Sequence, residues 1–426
     1  MKRETTALRL YGERDLRLES FPLPPLGDDE ILLEIVTNSV CMSDHKAAMQ
    51  GKRHKRVPDD VESNPIIIGH EFCGRIVEVG KRWRGEYKEG ERCSIQPAIN
   101  YRGMMRNPGY SFPYCGGNSL YAVIPAHIIE GGGLLKYRGE AYFNGSLAEP
   151  VSCIVGTFHA MYHTRAGSYE HKMGIREGGS LAVLAGVGPM GLGAIDYAIH
   201  NPRKPGLIVV TDIDDARLER AEELLPVEEA AEHGVCLKYV NTKNIERSDE
   251  YLRSFTPSGR GFDDVILMAP VKALVEEADA ILSDDGCLNF FAGPGDTSFS
   301  ASINFYNVHY ASHHLVGTSG GTTEDMIESL DMMSRDLLNP AAMITHIGGL
   351  DTAGDTILNL PSIPGGKKLI YTHIRMPLTA ITDFEKVGET DPFFRELALI
   401  VKRHRGLWSA EAEKYLLENY REGGMI

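Results

Sequence analysis

The chain has 426 residues, too many for one small domain; at ~150 residues per domain, two or three are predicted. Hydrophobic residues at 42% and charged residues at 24% describe a folded protein with a sizeable core and exclude a largely disordered one. Acidic residues number 59 against 44 basic ones, and the formal net charge of −15 argues against nucleic acid as a partner, because such a surface repels phosphate backbones.

In chain order, the N-terminal stretch has neither the apolar core nor the cleavage pattern of a secretory signal. No run of about 18 apolar residues follows, so no membrane span is expected and a cytoplasmic protein is. Seven scattered cysteines, an odd number, do not predict a disulfide framework. Residues 1–162 carry short apolar runs at 30–36, 65–68 and 74–80 between glycines and prolines, which predicts short strands in an irregular β-rich domain. From 163 to 318 strands alternate with helices. Strands are predicted at 181–185, 207–211, 236–240, 264–268, 288–292 and 314–316, and helices at 189–199 and 216–225. This α/β alternation predicts a Rossmann doubly wound parallel sheet covered on both faces. Residues 319–374 return to mixed texture. The end of the chain predicts helices at 392–405 and 409–420, the second capped by Ser409.

The run Gly186-Val187-Gly188-Pro189-Met190-Gly191 fits G-x-G-x-x-G. That pattern is weak alone, but here it follows an apolar strand and opens a helix, and Asp212 ends the next strand 21 residues after Gly191. Gly186 permits the tight turn, Gly188 lets backbone approach a pyrophosphate, and Gly191 lets helix and strand pack closely. The helix N-terminus offers free N–H donors to the phosphates. Asp212 suits the ribose hydroxyls and disfavours a 2′-phosphate, so NAD(H) is expected, with NADP(H) as the alternative. Arg217 lies either beside the adenosine or on a solvated helix face.

Cys41, Ser43 and Asp44 precede His70 and Glu71 by about thirty residues, and Glu149-Pro150 comes much later. A thiolate, an imidazole and a carboxylate make a zinc site with an open position. Spacing alone does not make these a compact metal motif, and a lone cysteine or histidine is more often structural.

Several pieces in one order resemble the zinc-dependent medium-chain dehydrogenase/reductase superfamily over nearly the whole chain. They are Pro22-Leu-Pro-Pro25, Cys41-x-Ser-Asp44, Gly69-His-Glu-Phe-Cys-Gly74, Val77-Glu-Val-Gly80, Gly90-Glu-Arg92, Glu149-Pro150, the glycine motif and Gly317-Thr-Ser319-Gly-Gly321. Glu149-Pro150, where alcohol dehydrogenases carry a cysteine ligand, resembles the polyol dehydrogenase branch. The segments 305–310 and 363–368 are most similar to the L-sorbose-1-phosphate reductase group. The resemblance implies a GroES-like β-rich catalytic domain over 1–162, a nucleotide domain over 163–318, and a return to the catalytic domain with a C-terminal helical extension over 319–426. It implies one catalytic zinc on Cys41, His70 and Glu149, with Glu71 able to bind or release the metal. Asp44 would orient the histidine, and Ser43 would relay the substrate proton; read without the resemblance, Ser43 is a turn-capping serine. Gly317 and Ser319 would join the cofactor site.

Two departures stand out. Relatives with a structural zinc carry four closely spaced cysteines, whereas only Cys93 and Cys115 stand in that region, so no structural zinc is expected. The relay histidine's position is Lys46, and the adjacent His45 reads as a solvated surface residue. Cys73, Cys153, Cys236 and Cys287 lie in apolar runs and read as buried thiols. His346 reads either as an active-site or as a structural residue. The implied reaction is hydride exchange between NAD(H) and a ketose 1-phosphate/sugar alcohol phosphate pair, in a homodimer or homotetramer. Arg102, Arg106 and Lys46 are the nearby basic candidates for the phosphate. The alternatives are a dehydrogenase of an unphosphorylated polyol, alcohol or amino alcohol, and a dinucleotide-binding protein without catalysis.

Overall fold

The strand Ile31–Val40 buries every residue except the half-buried Glu34, a burial that only a central strand achieves. It bonds antiparallel to Glu71–Val79, Tyr121–Ile124 and Lys367–Tyr371. The structure, a computed structural model, describes residues 3–165 and 167–420. Around this strand lies an eight-stranded sheet, ordered Thr379–Ala380, Ile344–Gly349, Lys367–Tyr371, Ile31–Val40, Glu71–Val79, Arg92–Ile95 and Leu134–Lys136, with Tyr121–Ile124 on Ile31–Val40. Two apolar clusters flank it. One holds Ile31, Leu33, Ile35, Phe72, Cys93 and Cys115, the other Leu8, Leu10, Ile66, Ile68, Ile357 and Ile370.

A second sheet has six strands, all parallel: Cys236–Asn241, Leu207–Asp212, Ser180–Leu184, Phe262–Leu267, Leu282–Phe290 and His314–Gly317. Its first strand in sequence, Ser180–Leu184, is wholly buried near the middle. The chain winds outward to one edge and then reverses to the other, the doubly wound order that leaves a crevice at the strands' carboxyl ends.

Two compact units result. One gathers the described residues of Met1–Pro150, Thr322–Asp336 and Ile344–Ile426; the other holds Val151–Gly321 and Leu337–Met343. The first break falls at Pro150, inside the helix Tyr142–Ala160, and not at 162. The short excursion 337–343 joins the parallel-sheet unit, where the Asn339 N–H donates to Asp196 at 2.9 Å.

The last helices are Pro392–Arg403 and Ala410–Asn419, and Ser409 caps the second by accepting from the Ala412 N–H. The first buries Phe394, Leu397, Ala398, Ile400 and Val401, one stripe at helical spacing. From the second, buried Glu413 accepts from the N–H groups of Tyr142 (2.5 Å) and Phe143 (2.9 Å) and from the Tyr371 hydroxyl (2.8 Å). The C-terminal segment thus holds the first turn of the helix that carries Glu149. Among the described residues no helix is long and apolar enough to cross a membrane.

Candidate metal and dinucleotide sites

Cys41 directly follows the central strand Ile31–Val40 and caps the helix Met42–Gln50. Asp44 closes that cap by accepting from the Cys41 N–H at 3.1 Å, and its other oxygen lies 2.7 Å from His70 Nδ1. One buried carboxylate therefore fixes both the helix start and the imidazole. With Nδ1 engaged, Nε2 is the nitrogen left to bind a metal. Nε2 lies 3.9 Å from Glu71 Oε1, and ligand atoms of Cys41, His70 and Glu71 all fall within 4.8 Å of one another. Soft sulfur, imidazole nitrogen and hard oxygen at this spacing fit a zinc ion with one open position.

Ser43 is not the helix cap. Its hydroxyl donates to Cys41 Sγ at 3.1 Å and lies 3.4 Å from His70 Nε2. Glu149 lies outside the compact group of three but near it. Burial and then the charge of Glu71 push its carboxyl above the usual range. Glu71 is buried too, which alone would raise it; Lys367 and His70 overcome that and lower it. Burial opposes a charged His70, yet the charge and hydrogen bond of Asp44, then Cys41, hold it well above the ordinary value.

Two neighbours escape sequence reasoning. Lys367 Nζ donates to both oxygens of Glu71, at 2.6 and 2.7 Å. Tyr110, fully buried, places its hydroxyl 2.9 Å from His70 Nδ1 with ring centroids 4.8 Å apart. The sequence held only part of the signal for Lys367: two lysines open an apolar strand, and a strand buried throughout requires a partner for each charge without saying which. Lys368, on the opposite face, meets the carbonyls of Pro364 and Gly366. Tyr110 stands in a loop with no local signal.

The glycine motif joins the strand Ser180–Leu184 to the helix Pro189–His200, with Gly188 as N-cap and Pro189 at its first position. A Cβ on Gly191 would stand 2.0 Å from the Gly186 carbonyl oxygen, so only glycine fits. On Gly188 a Cβ would meet nothing nearer than Arg217 at 3.7 Å, leaving room for a ligand. Val187 is buried beneath the turn and Met190 half-buried. Asp212 accepts from the N–H groups of Ile213 and Asp214, and Arg217 Nη1 lies 3.7 Å from its other oxygen. Arg217 thus sits beside the turn and Asp212. Gly317, paired with Phe290, ends the edge strand at the same carboxyl rim, and exposed Ser319 follows.

The alcohol dehydrogenase GroES-like domain family matches residues 27–131 and the zinc-binding dehydrogenase family matches 189–335. The chain is 52% identical over 417 residues, 98% of each chain, to mannitol-1-phosphate 5-dehydrogenase of Aliivibrio fischeri. It is 49% identical over 413 residues, 97% of each chain, to L-sorbose 1-phosphate reductase of Klebsiella pneumoniae. It belongs to the zinc-dependent medium-chain dehydrogenase family. Among solved structures, 2R,3R-butanediol dehydrogenase from Bacillus subtilis shares the fold, with a TM-score of 0.69 and 20% identity over 86% of this chain and 99% of that one. The protein is thus a dehydrogenase of the alcohol and polyol type, built for zinc and a nicotinamide cofactor.

Some expectations need correction in this dehydrogenase. His45 is half-buried, not solvated, with Nδ1 2.8 Å from the Ile357 carbonyl. Cys236 is exposed because its strand forms an edge of the parallel sheet, and Cys153 is only half-buried. Cys73 and Cys287 are buried. Cys93 and Cys115 sit in an apolar cluster, where burial pushes both thiols up, Cys93 to about 12. His346 is half-buried beside Thr345, and burial, then Lys368, lower it to about 4. Lys46 and Arg102 are exposed.

Proposed function

We propose that the dehydrogenase interconverts a ketose 1-phosphate and a sugar alcohol phosphate, using one catalytic zinc and NAD(H). The observation that carries this reading is the compact group Cys41, His70 and Glu71, in a chain about half identical to two sugar-phosphate oxidoreductases over nearly its whole length. When bound, zinc supplies a Lewis acid for the substrate oxygen, and nicotinamide supplies or accepts hydride.

The chain's own residues do the rest. Cys41, His70 and Glu71 would hold the metal, with Glu149 as the carboxylate that exchanges with Glu71. Lys367 competes for Glu71 and so sets how firmly that oxygen is offered to a cation. Asp44 fixes the His70 tautomer. The Ser43 hydroxyl relays the proton: on oxidation it accepts the substrate's proton while passing its own toward solvent, and on reduction the transfer runs in reverse. Gly186 to Gly191 receive the pyrophosphate, Val187, Pro189 and Met190 shape that turn, and Gly317 and Ser319 complete the rim. Asp212 receives the adenosine ribose; its charge favours NADH, while Arg217 beside it leaves NADPH usable. We further propose a homodimer, or a homotetramer built from it, supported by the open edge strand His314–Gly317 and exposed Tyr306, Tyr310 and Leu315 nearby in sequence.

Matched phosphorylated and free ketoses, each assayed with NADH and NADPH, test the reading. Phosphorylated substrates should lead in kcat/KM by at least ~100-fold, the discrimination expected of a site built to bind the missing group. Equal values would overturn it. Tighter binding of NADPH than NADH would remove the role given to Asp212.

A further inference from the structure

Residues 55–60, Asn64, Met105, Arg106 and Ser111 line a cavity of about 510 Å³. Lys55, Arg56 and Arg106 line it, and no carboxylate among the described residues lies within 4.0 Å of any of these three cations. In a chain with net charge −15, three unpaired cations in one cavity are unusual. Asp59 and Asp60 also line it, both exposed, and their charge would repel an anion toward the arginines.

The two guanidinium groups are held without being used up. Arg106 donates to the Ser111 carbonyl at 3.1 Å and lies 4.4 Å from the Phe112 ring centroid, leaving most of its five donors free. Arg56 lies 5.6 Å from the Tyr110 ring centroid, and its Nε is buried with no partner. The Ser111 hydroxyl donates to the Arg56 carbonyl at 2.6 Å and accepts from the Asn107 N–H at 3.1 Å, tying the two walls together. A planar fork is the geometry that grips phosphate oxygens in pairs.

The cavity also has a defined place. The Tyr110 ring lies 5.6 Å from the Arg56 guanidinium and, tilted, 4.8 Å from the His70 ring, so one aromatic ring stands between the guanidinium and a proposed metal ligand. We infer that this cavity is the phosphate subsite of the dehydrogenase, with Arg56 and Arg106 as the residues that recognise the phosphoryl group of its sugar-phosphate substrate. This rests on the sugar-phosphate reading above.

The test uses full-length enzyme as wild type, Arg106→Gln, Arg106→Lys and Arg56→Gln, with zinc content measured on each. The probes are inorganic phosphate, as an inhibitor against the sugar phosphate, and matched phosphorylated and free polyols. Phosphate should compete with the sugar phosphate. Each glutamine variant should raise both the inhibition constant for phosphate and KM for the phosphorylated substrate by about tenfold to a hundredfold, the worth of a lost charged hydrogen bond. Arg106→Lys should recover part of the loss, and zinc content should not move. Arg106 is exposed, so its variants report even if Arg56→Gln folds poorly. Variants that bind phosphate and sugar phosphate like wild type would overturn the subsite. If they also keep the wild-type preference for phosphorylated substrates, the subsite alone is wrong. If wild type shows no such preference but the variants still lose phosphate, the substrate reading fails and the anion site stands.

Discussion

The candidate dinucleotide turn is made of six consecutive residues, whereas the candidate metal group is assembled from positions 41, 70 and 71, with Lys367 bound to Glu71. The first is local chemistry: a strand, a glycine turn and a helix N-terminus suffice to make a phosphate cradle. The second exists only because the strand Ile31–Val40 pairs with both Glu71–Val79 and Lys367–Tyr371, which brings three distant segments to one place. The local site tolerates no bulk at Gly191 but needs no partner charge. The assembled site is buried, so every charge in it depends on another: Asp44 on His70, and Glu71 on Lys367.

Breaking each site separately sharpens that contrast, and the largest effect belongs to the metal group. Cys41→Ala should abolish turnover and zinc binding while leaving NADH titration close to wild type, because the glycine turn lies in the other unit. Gly191→Ala should do the reverse. Its Cβ would collide with the Gly186 carbonyl, so NADH binding and the thermal stability of the parallel-sheet unit should fall together, with zinc retained. Gly188→Ala should spare stability and only weaken NADH binding, because its Cβ enters open space. Equal effects of the two alanines would show that the turn is not a cradle. Asp44→Asn comes next: loss of the charged partner of His70 should weaken zinc affinity by about 10–100-fold, read by competition with a chelator.

The smallest effect concerns Glu413. Burial raises its carboxyl to about 7, above the usual ~4.3 of an unfolded chain. A group raised on folding lends its stability fully below the unfolded value and loses it as pH climbs through the folded one. Thermal stability should therefore decline between about pH 4.5 and 7 by this contribution, and Glu413→Gln should flatten the decline. An unchanged pH profile in that variant would show that Glu413 does not titrate in this range.

Legibility in the sequence followed the same division. The parallel sheet was readable because its inner strands carry short apolar runs at 181–184, 208–210 and 265–267, and the glycine motif marks where the first one ends. The order of motifs, not spacing, pointed to Cys41, His70 and Glu149 with Glu71 beside them, whereas the structure groups Cys41 and His70 with Glu71, since spacing does not encode which strands pair. Lys367 was hidden because two adjacent lysines alternate across the strand, and only register decides which one faces Glu71. Cys236 misled because an apolar run at a sheet edge looks like one at its centre. Arg56 and Tyr110 were invisible for a related reason: neither lies in a periodic segment, and loops bring Tyr110 to His70 and Arg56 to Tyr110. The C-terminal extension gave helices but not purpose, which depends on Glu413 reaching Tyr142 and Phe143 across some 270 residues.

Zinc stoichiometry of chelator-free purified protein, measured on wild type and Cys41→Ala beside NADH turnover, tests the metal group most directly. About one zinc per chain in the wild type, with both zinc and turnover lost in the variant, is the expected result. A Cys41→Ala enzyme that keeps its zinc and its turnover would contradict the assignment of Cys41, His70 and Glu71 as the metal centre.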